Sequence, residues 1–102
     1  MKIYSWNVNG IRAVMNKGLK KFIQDFKPDV LLLQEIKISA EAKAKIEFDF
    51  ADYQEFWHSA ERPGYSGTAA LVKNGIKVKS YLVGFGEKGD DSEGRVQALE
   101  FD

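Results

Sequence analysis

The chain has 102 residues, is 44% hydrophobic and contains no cysteine, which excludes a disulfide framework and a thiolate metal site. Its formal net charge is zero, so overall charge argues neither for nor against a polyanionic partner, although residues 1–27 carry six basic side chains against one acidic. No stretch approaches the roughly 18 apolar residues of a membrane span, and the N-terminus lacks the apolar core of a signal peptide. We therefore expect one cytoplasmic domain without a membrane partner.

The first part of the chain is predicted to form a strand, a helix and a second strand. The segment "KIYSW" is rich in β-prone residues, and "NVNG" after it is a turn. Residues 11–26 carry apolar side chains at helical spacing, interrupted at Gly18. This helix should end at Lys27, because Pro28 disfavours helical dihedral angles in the residue before it. The apolar run "DVLLLQE" suits a strand that is covered on both faces.

The remainder is predicted to be one short helix followed by strands. Ser39 is a suitable cap for a helix that extends to about Phe48. Four strand-like segments follow, separated by Gly, Asn and charged residues: "YQEFWHSA", "GTAALVK", "IKVKSYLV" and "RVQALEF". This order predicts an α/β or α+β fold around a central sheet.

Polar side chains follow the first two predicted strands at the point where each strand ends. Asn7 comes directly after "YSW", and Glu35 comes directly after "LLLQ". If these strands are parallel, both residues emerge at the same carboxyl edge, where sites form in open α/β sheets. A carboxylate beside an amide oxygen suits Mg²⁺. The alternative for each residue alone is that Asn7 makes a turn and Glu35 is a solvated strand end.

The chain contains four blocks that resemble, in order and spacing, the N-terminal half of the exonuclease III family of abasic-site DNA endonucleases: "SWNVNGIRA" (5–13), "PDVLLLQEIK" (28–37), "GYSGTA" (64–69) and "EGRVQALEF" (93–101). Each block alone is a weak signal, but four in register are a strong one. That family belongs to the wider endonuclease/exonuclease/phosphatase group with the DNase I-like fold. The resemblance covers essentially the whole chain and implies half of a four-layer α/β sandwich, with one mixed sheet and two helices.

The resemblance also implies roles for individual residues. Asn7 matches the family's active-site asparagine and Glu35 its metal-binding glutamate, so both are predicted to be catalytic and to hold Mg²⁺, with Mn²⁺ as a substitute. Contacts to the backbone of double-stranded DNA are implied for Arg12, Gly64, Tyr65 and Arg95. Glycine lets a main chain approach a phosphate ridge, and an exposed tyrosine offers a flat apolar face with a polar tip. The alternative for Tyr65 is an aromatic side chain that packs over a neighbouring strand.

Two positions depart from the family pattern, which usually has an acidic residue at Asn9 and threonine at Ile36. A second metal ligand near Asn9 is therefore in doubt, and one cation is expected. The single histidine, His58, matches no catalytic position and has no second group in the sequence pattern to make it a general base. We expect it to be structural.

Family enzymes are much longer, so residues 1–102 are interpreted as a single truncated domain whose partner is the missing C-terminal half. The whole enzyme would cleave DNA 5′ to abasic sites and trim 3′ ends, whereas the isolated chain is expected to be inactive. The alternative is a non-catalytic folded fragment that self-associates or binds DNA weakly. Phosphoesterases of the same group that act on lipids or inositol phosphates are a third option. A homodimer is expected through an uncovered sheet face: Val30, Leu31, Leu32, Leu33, Leu71, Val72 and Leu99.

Overall fold

The computed structural model describes residues 1–85 and 89–102, which contain six strands and three short helices. The strands are β1 (Ile3–Asn7), β2 (Val30–Gln34), β3 (Tyr53–His58), β4 (Thr68–Lys73), β5 (Val78–Val83) and β6 (Gln97–Phe101). The helices are α1 (Ile11–Val14), α2 (Lys20–Phe26) and α3 (Ala40–Ala44), and a π-helical turn (Met15–Leu19) joins α1 to α2. None of the helices in these two ranges is long and apolar enough to cross a membrane.

Four of the strands form a mixed sheet in the order β1-β2-β4-β3. β1 and β2 are parallel, with Asn7 opposite Gln34, while β4 lies antiparallel between β2 and β3. This confirms the predicted α/β class and the mixed sheet. The last two strands, β5 and β6, form a separate antiparallel pair, a division that strand propensity alone does not indicate.

One face of the mixed sheet is covered by the helical segment, as its apolar spacing predicts. Leu19 is fully buried, and the ring of Phe22 packs edge-on against Tyr4 and Trp6, with centroids 5.2 and 5.3 Å apart. The predicted interruption occurs at Gly18, whose φ of 121° breaks the helical backbone. The helical segment thus packs against β1, the strand that ends at Asn7.

The end of α2 lies close to its predicted position, whereas the end of α3 does not. α2 ends at Phe26, one residue before the predicted end at Lys27, and Lys27 has the left-handed conformation directly before Pro28. Ser39 caps α3 by accepting the Ala42 N–H at 3.0 Å, but the predicted extension to Phe48 is wrong because α3 ends at Ala44. The chain leaves the helix so that the ring of Phe48 packs against Trp57, at a centroid distance of 5.2 Å.

The second face of the mixed sheet lies under the β5–β6 pair. The rings of Phe56 and Tyr81 are in contact, with centroids 4.8 Å apart, and a cavity of about 230 Å³ between the two layers is lined by side chains that include Leu32, Leu99 and Phe101. The expected dimer surface is therefore wrong for five of its seven residues, which are at most 2% exposed within the chain itself: Val30, Leu31, Leu33, Leu71 and Val72. Self-association itself stays a prediction.

Candidate functional site

The predicted pair Asn7 and Glu35 meets at the carboxyl edge of the parallel strands. Asn7 is the last residue of β1, and Glu35 directly follows β2. The Asn7 side-chain amide donates a hydrogen bond to Oε2 of Glu35. Main-chain bonds continue past the strand ends, from Val8 N–H to the Gln34 carbonyl (3.0 Å) and from Gly10 N–H to the Glu35 carbonyl (2.8 Å). The expectation that a parallel register brings these two side chains together is confirmed.

Both polar atoms of the Asn7 side-chain amide make hydrogen bonds. Its Oδ1 accepts the main-chain N–H of Asn9 at 3.1 Å, while its NH₂ group faces the Glu35 carboxylate. An amide held by a main-chain donor on one side has a fixed orientation on the other. In this arrangement Asn7 orients the Glu35 carboxylate at the edge of the sheet.

Lys37 is a third member of the site that the sequence analysis did not single out. Its Nζ lies 3.7 Å from Oε1 of Glu35 and donates a hydrogen bond to Oδ1 of Asn9. Glu35 and Lys37 both have a φ of 52°, a left-handed backbone conformation that is uncommon outside glycine. Two left-handed residues in the run "QEIK" break the strand alternation, so the side-chain directions cannot be read from the sequence pattern.

The donor set fits one hard cation. Among residues 1–85 and 89–102 no three His, Cys, Asp or Glu side chains converge, and Glu35 places one carboxylate at this edge. Mg²⁺ commonly takes one or two carboxylates and completes its octahedron with water and substrate phosphate. Oδ1 of Asn9 accepts a hydrogen bond from the Lys37 ammonium, and the expectation of a single cation stays a prediction.

The "GYSG" turn lies against the segment that follows Glu35. Ile36 N–H donates to the Gly67 carbonyl (3.2 Å), and Lys37 N–H donates to the Ser66 carbonyl (2.8 Å). Gly64 has a φ of 75° and open space where a Cβ would stand. Tyr65 is 50% exposed, and the guanidinium of Arg62 lies over its ring, 4.3 Å from the centroid. Tyr65 is therefore a half-exposed surface aromatic residue with a guanidinium over its ring.

The two predicted arginines both lie near this segment. Nη2 of Arg12, from α1, donates to the Lys37 carbonyl at 3.3 Å. Nε of Arg95 donates to the Glu93 carboxylate at 2.8 Å, and this hydrogen bond is the main reason that the pKa of Arg95 is raised, with a smaller contribution from the charge of Glu35. Both guanidinium groups are thereby oriented by local acceptors.

These residues enclose one open cleft of about 400 Å³, lined by Glu35, Lys37, Gly64, Tyr65, Ser66 and Arg95. The structure thus brings four of the six predicted site residues to one cleft. It links the other two to the same cleft through hydrogen bonds, Asn7 through Glu35 and Arg12 through the Lys37 carbonyl. A single carboxylate among cationic and aromatic side chains is an arrangement suited to a metal ion and a phosphate backbone.

Comparisons with known proteins agree with this geometry. Residues 4–102 match the model of the Endonuclease/Exonuclease/phosphatase family. The chain is 39% identical to an exodeoxyribonuclease of Bacillus subtilis (strain 168), covering 100% of this chain and 39% of that protein. It is 38% identical to a DNA-(apurinic or apyrimidinic site) endonuclease of Dictyostelium discoideum, covering 100% of this chain and 27% of that protein.

Solved structures show the same fold. The AP endonuclease from Leishmania major superimposes with a TM-score of 0.79 at 34% identity, over 96% of this chain and 34% of that one. A 3′-5′ exonuclease from Neisseria meningitidis gives a TM-score of 0.79 at 25% identity, over 99% of this chain and 38% of that one. The chain thus spans about two-fifths or less of the length of these relatives. With the match extending over nearly all of its residues, the chain belongs to the endonuclease/exonuclease/phosphatase family.

Proposed function

We propose that this chain supplies the metal-binding carboxylate and part of the DNA-contacting surface of a Mg²⁺-dependent DNA-repair phosphodiesterase. The reaction is hydrolysis of the DNA backbone 5′ to an abasic site, together with trimming of 3′ ends. The observation that carries the proposal is the Asn7–Glu35 hydrogen bond at the edge of a cleft that Tyr65 and Arg95 also line. The names of the nuclease relatives support the same reaction class.

Within this proposal Glu35 is the metal ligand and Asn7 is the residue that orients it. A cation held there would supply charge stabilisation at the phosphodiester. Because Asn7 is itself fixed by the Asn9 N–H, the carboxylate is held in one orientation before metal arrives. Lys37 offsets the negative charge of Glu35 while the metal is absent, at the 3.7 Å separation of their charged atoms. Mn²⁺ is expected to substitute for Mg²⁺.

The DNA-contacting part of the proposal assigns backbone contacts to Arg12, Arg95 and the Gly64–Tyr65 turn. Contacts of this kind position a duplex and carry no sequence information. Arg62, stacked on Tyr65, adds a further cation to the same rim. Lipid or inositol phosphate substrates are less well supported, because the relatives that match over the whole chain are named as DNA nucleases. The alternative, a non-catalytic fragment that binds DNA weakly, shares the inactivity expected of the isolated chain. It differs from the proposal in having no metal site at Glu35, so the effect of Glu35→Gln on metal binding separates the two.

Metal binding by the chain is expected to be weak and to depend on Glu35. A single fixed carboxylate and the reluctance of Mg²⁺ to lose water predict a dissociation constant of about 1 mM or weaker. Glu35→Gln should weaken binding by about tenfold or more, and Asn7→Ala by less, because it removes only the orienting hydrogen bond. Binding is measured by calorimetry with Mg²⁺ and by Mn²⁺-induced paramagnetic broadening of the amide signals around residue 35.

The matched control is Glu41→Gln on α3, which makes the same chemical change at an exposed residue that does not line the cleft. Broadening that disappears equally in Glu41→Gln and Glu35→Gln would contradict the assignment of Glu35. A tight Mg²⁺ site would contradict the single-carboxylate description.

DNA binding is expected to be feeble, independent of sequence and strongly reduced by salt. Each phosphate contact contributes a slope of about −0.9 to the dependence of log K on log salt concentration. Arg12→Gln and Arg95→Gln should each reduce the magnitude of this slope by about 0.9, the contribution of one phosphate contact. The slope is measured by fluorescence anisotropy with a duplex that contains an abasic-site analogue. Lys77→Gln is the control, since it removes one positive charge from an exposed side chain that pairs with Asp102. If all three variants change the slope equally, the arginines have no specific part in the surface.

A further inference from the structure

The segment that carries Arg95 is organised around the carboxylate of Asp91. Oδ1 of Asp91 accepts the main-chain N–H of Arg95 at 2.9 Å, and Oδ2 accepts the N–H of Val96 at 2.9 Å. Nε2 of His58, from the end of β3, lies 3.0 Å from the same Oδ2. The Asp91 side chain is 8% exposed and that of His58 is 20% exposed. A nearly buried carboxylate therefore joins β3 to the main chain of the residue proposed to contact DNA.

The same segment is tied to the "GYSG" turn and to the neighbouring strand ends. Gly67 N–H donates to the Glu93 carbonyl (2.9 Å), and Glu61 N–H donates to the Ser92 carbonyl (2.7 Å). Oγ1 of Thr68 donates to the Gly94 carbonyl at 3.0 Å. The main chain around Arg95 is consequently fixed to the turn that presents Tyr65, so that the two predicted DNA contacts share one support.

Asp91 is held in its charged form by this environment. Burial on its own raises the pKa of Asp91, but the hydrogen bonds from the Arg95 and Val96 N–H groups and from His58 outweigh it, and the pKa is lowered. A buried carboxylate that loses one of its donors bears an uncompensated desolvation cost. The imidazole of His58 is the one side-chain donor among these three partners, and thus the one that substitution can remove without changing the main chain.

We propose that the His58–Asp91 pair is a clamp that positions Arg95 in the cleft for contact with the DNA backbone. His58 and Asp91 are positioning residues in this proposal, because they act through the main chain of Arg95 and touch no reacting atom. The proposal rests on the proposed function for the role of Arg95 on DNA. It also assigns a role to His58, the single histidine of the chain, which matches no catalytic position of the family.

The clamp is tested first without DNA, by amide hydrogen exchange followed by NMR. His58→Leu and Asp91→Asn should accelerate exchange of the Arg95 and Val96 amides by about tenfold or more, because each removes a hydrogen bond of the carboxylate network. His58→Gln, which retains a side-chain donor, should restore much of the protection. Asp90→Asn is the matched control, since it makes the same charge change one residue away. Unchanged exchange in His58→Leu, in a variant whose thermal unfolding shows it to be folded, would overturn the clamp.

The second arm is a double-mutant cycle on binding to the abasic-site duplex. His58→Leu should weaken binding by about threefold to tenfold in the parent chain and have no effect when Arg95 is already Gln. Equal effects in both backgrounds would mean that His58 acts on general stability, and the positioning role would be wrong. If Arg95→Gln alone leaves DNA binding unchanged, the proposed DNA surface fails and the positioning role with it, whereas the exchange rates still report whether the clamp exists.

Discussion

Replacing Gly94 with alanine is expected to lower the free energy of unfolding by about 3 kcal/mol, with a fall in the midpoint of thermal unfolding measured by circular dichroism. Gly94 has a φ of +64°, and a Cβ built there would stand 2.6 Å from the His58 carbonyl oxygen and 2.8 Å from the Ser59 carbonyl carbon. These neighbours are main-chain atoms that cannot rotate away. Relief of this clash requires the 91–96 segment to move away from the end of β3. That movement would also break the hydrogen bond between His58 and Asp91.

Gly64→Ala provides the matched control for the steric part of this effect. Gly64 has a comparable φ of +75°, but no atom lies within 4 Å of the position that its Cβ would take. Alanine there should lower the free energy of unfolding by about 1 kcal/mol, the cost of placing a Cβ on a left-handed backbone. If both variants lose the same free energy of unfolding, the added Cβ at position 94 meets no steric clash. The 91–96 segment would then pack against β3 more loosely than the distances indicate.

The positions of the site elements are largely predictable because they depend on local, periodic features. Apolar spacing defines the helical segment and its interruption at Gly18, and a parallel strand-helix-strand unit brings Asn7 and Glu35 to one edge. The end of α3 is different. The residues after Ala44 favour helix locally, but Phe48 packs against Trp57 in the folded chain. Helix propensity, which depends on neighbouring residues, does not predict this contact.

The details of the cleft depend on features that leave little trace in sequence. Lys37 reaches Asn9 and Glu35 because the backbone is left-handed at positions 35 and 37, where neither residue is a glycine that would indicate it. The contact between His58 and Asp91 spans 33 residues, so neither periodicity nor motif spacing predicts it. The four motif blocks predict which residues form the site, whereas the hydrogen bonds that orient these residues require the three-dimensional structure.

A polypeptide of these 102 residues is expected to show no incision of an abasic-site duplex in the presence of Mg²⁺. Hydrolysis of a phosphodiester needs charge stabilisation and also a group that activates water. In the described part of the cleft, Glu35 is assigned to the metal, while Lys37 and Arg95 are cationic donors. The single histidine, His58, is hydrogen-bonded to Asp91 and does not line the cleft, so it is not placed to activate water there.

The expected rate is at least about 10²-fold below that of a full-length relative, since loss of general acid–base chemistry alone costs about 10² to 10⁴. Incision of a labelled duplex followed by gel electrophoresis measures this, with the DNA-(apurinic or apyrimidinic site) endonuclease of Dictyostelium discoideum as the positive control. The chain and its Glu35→Gln variant are purified in parallel, so that cleavage present equally in both identifies a contaminating nuclease. Incision that is present in the parent chain and lost in Glu35→Gln would mean that residues 1–102 activate water themselves, and the assignment of Glu35 to metal binding alone would be wrong.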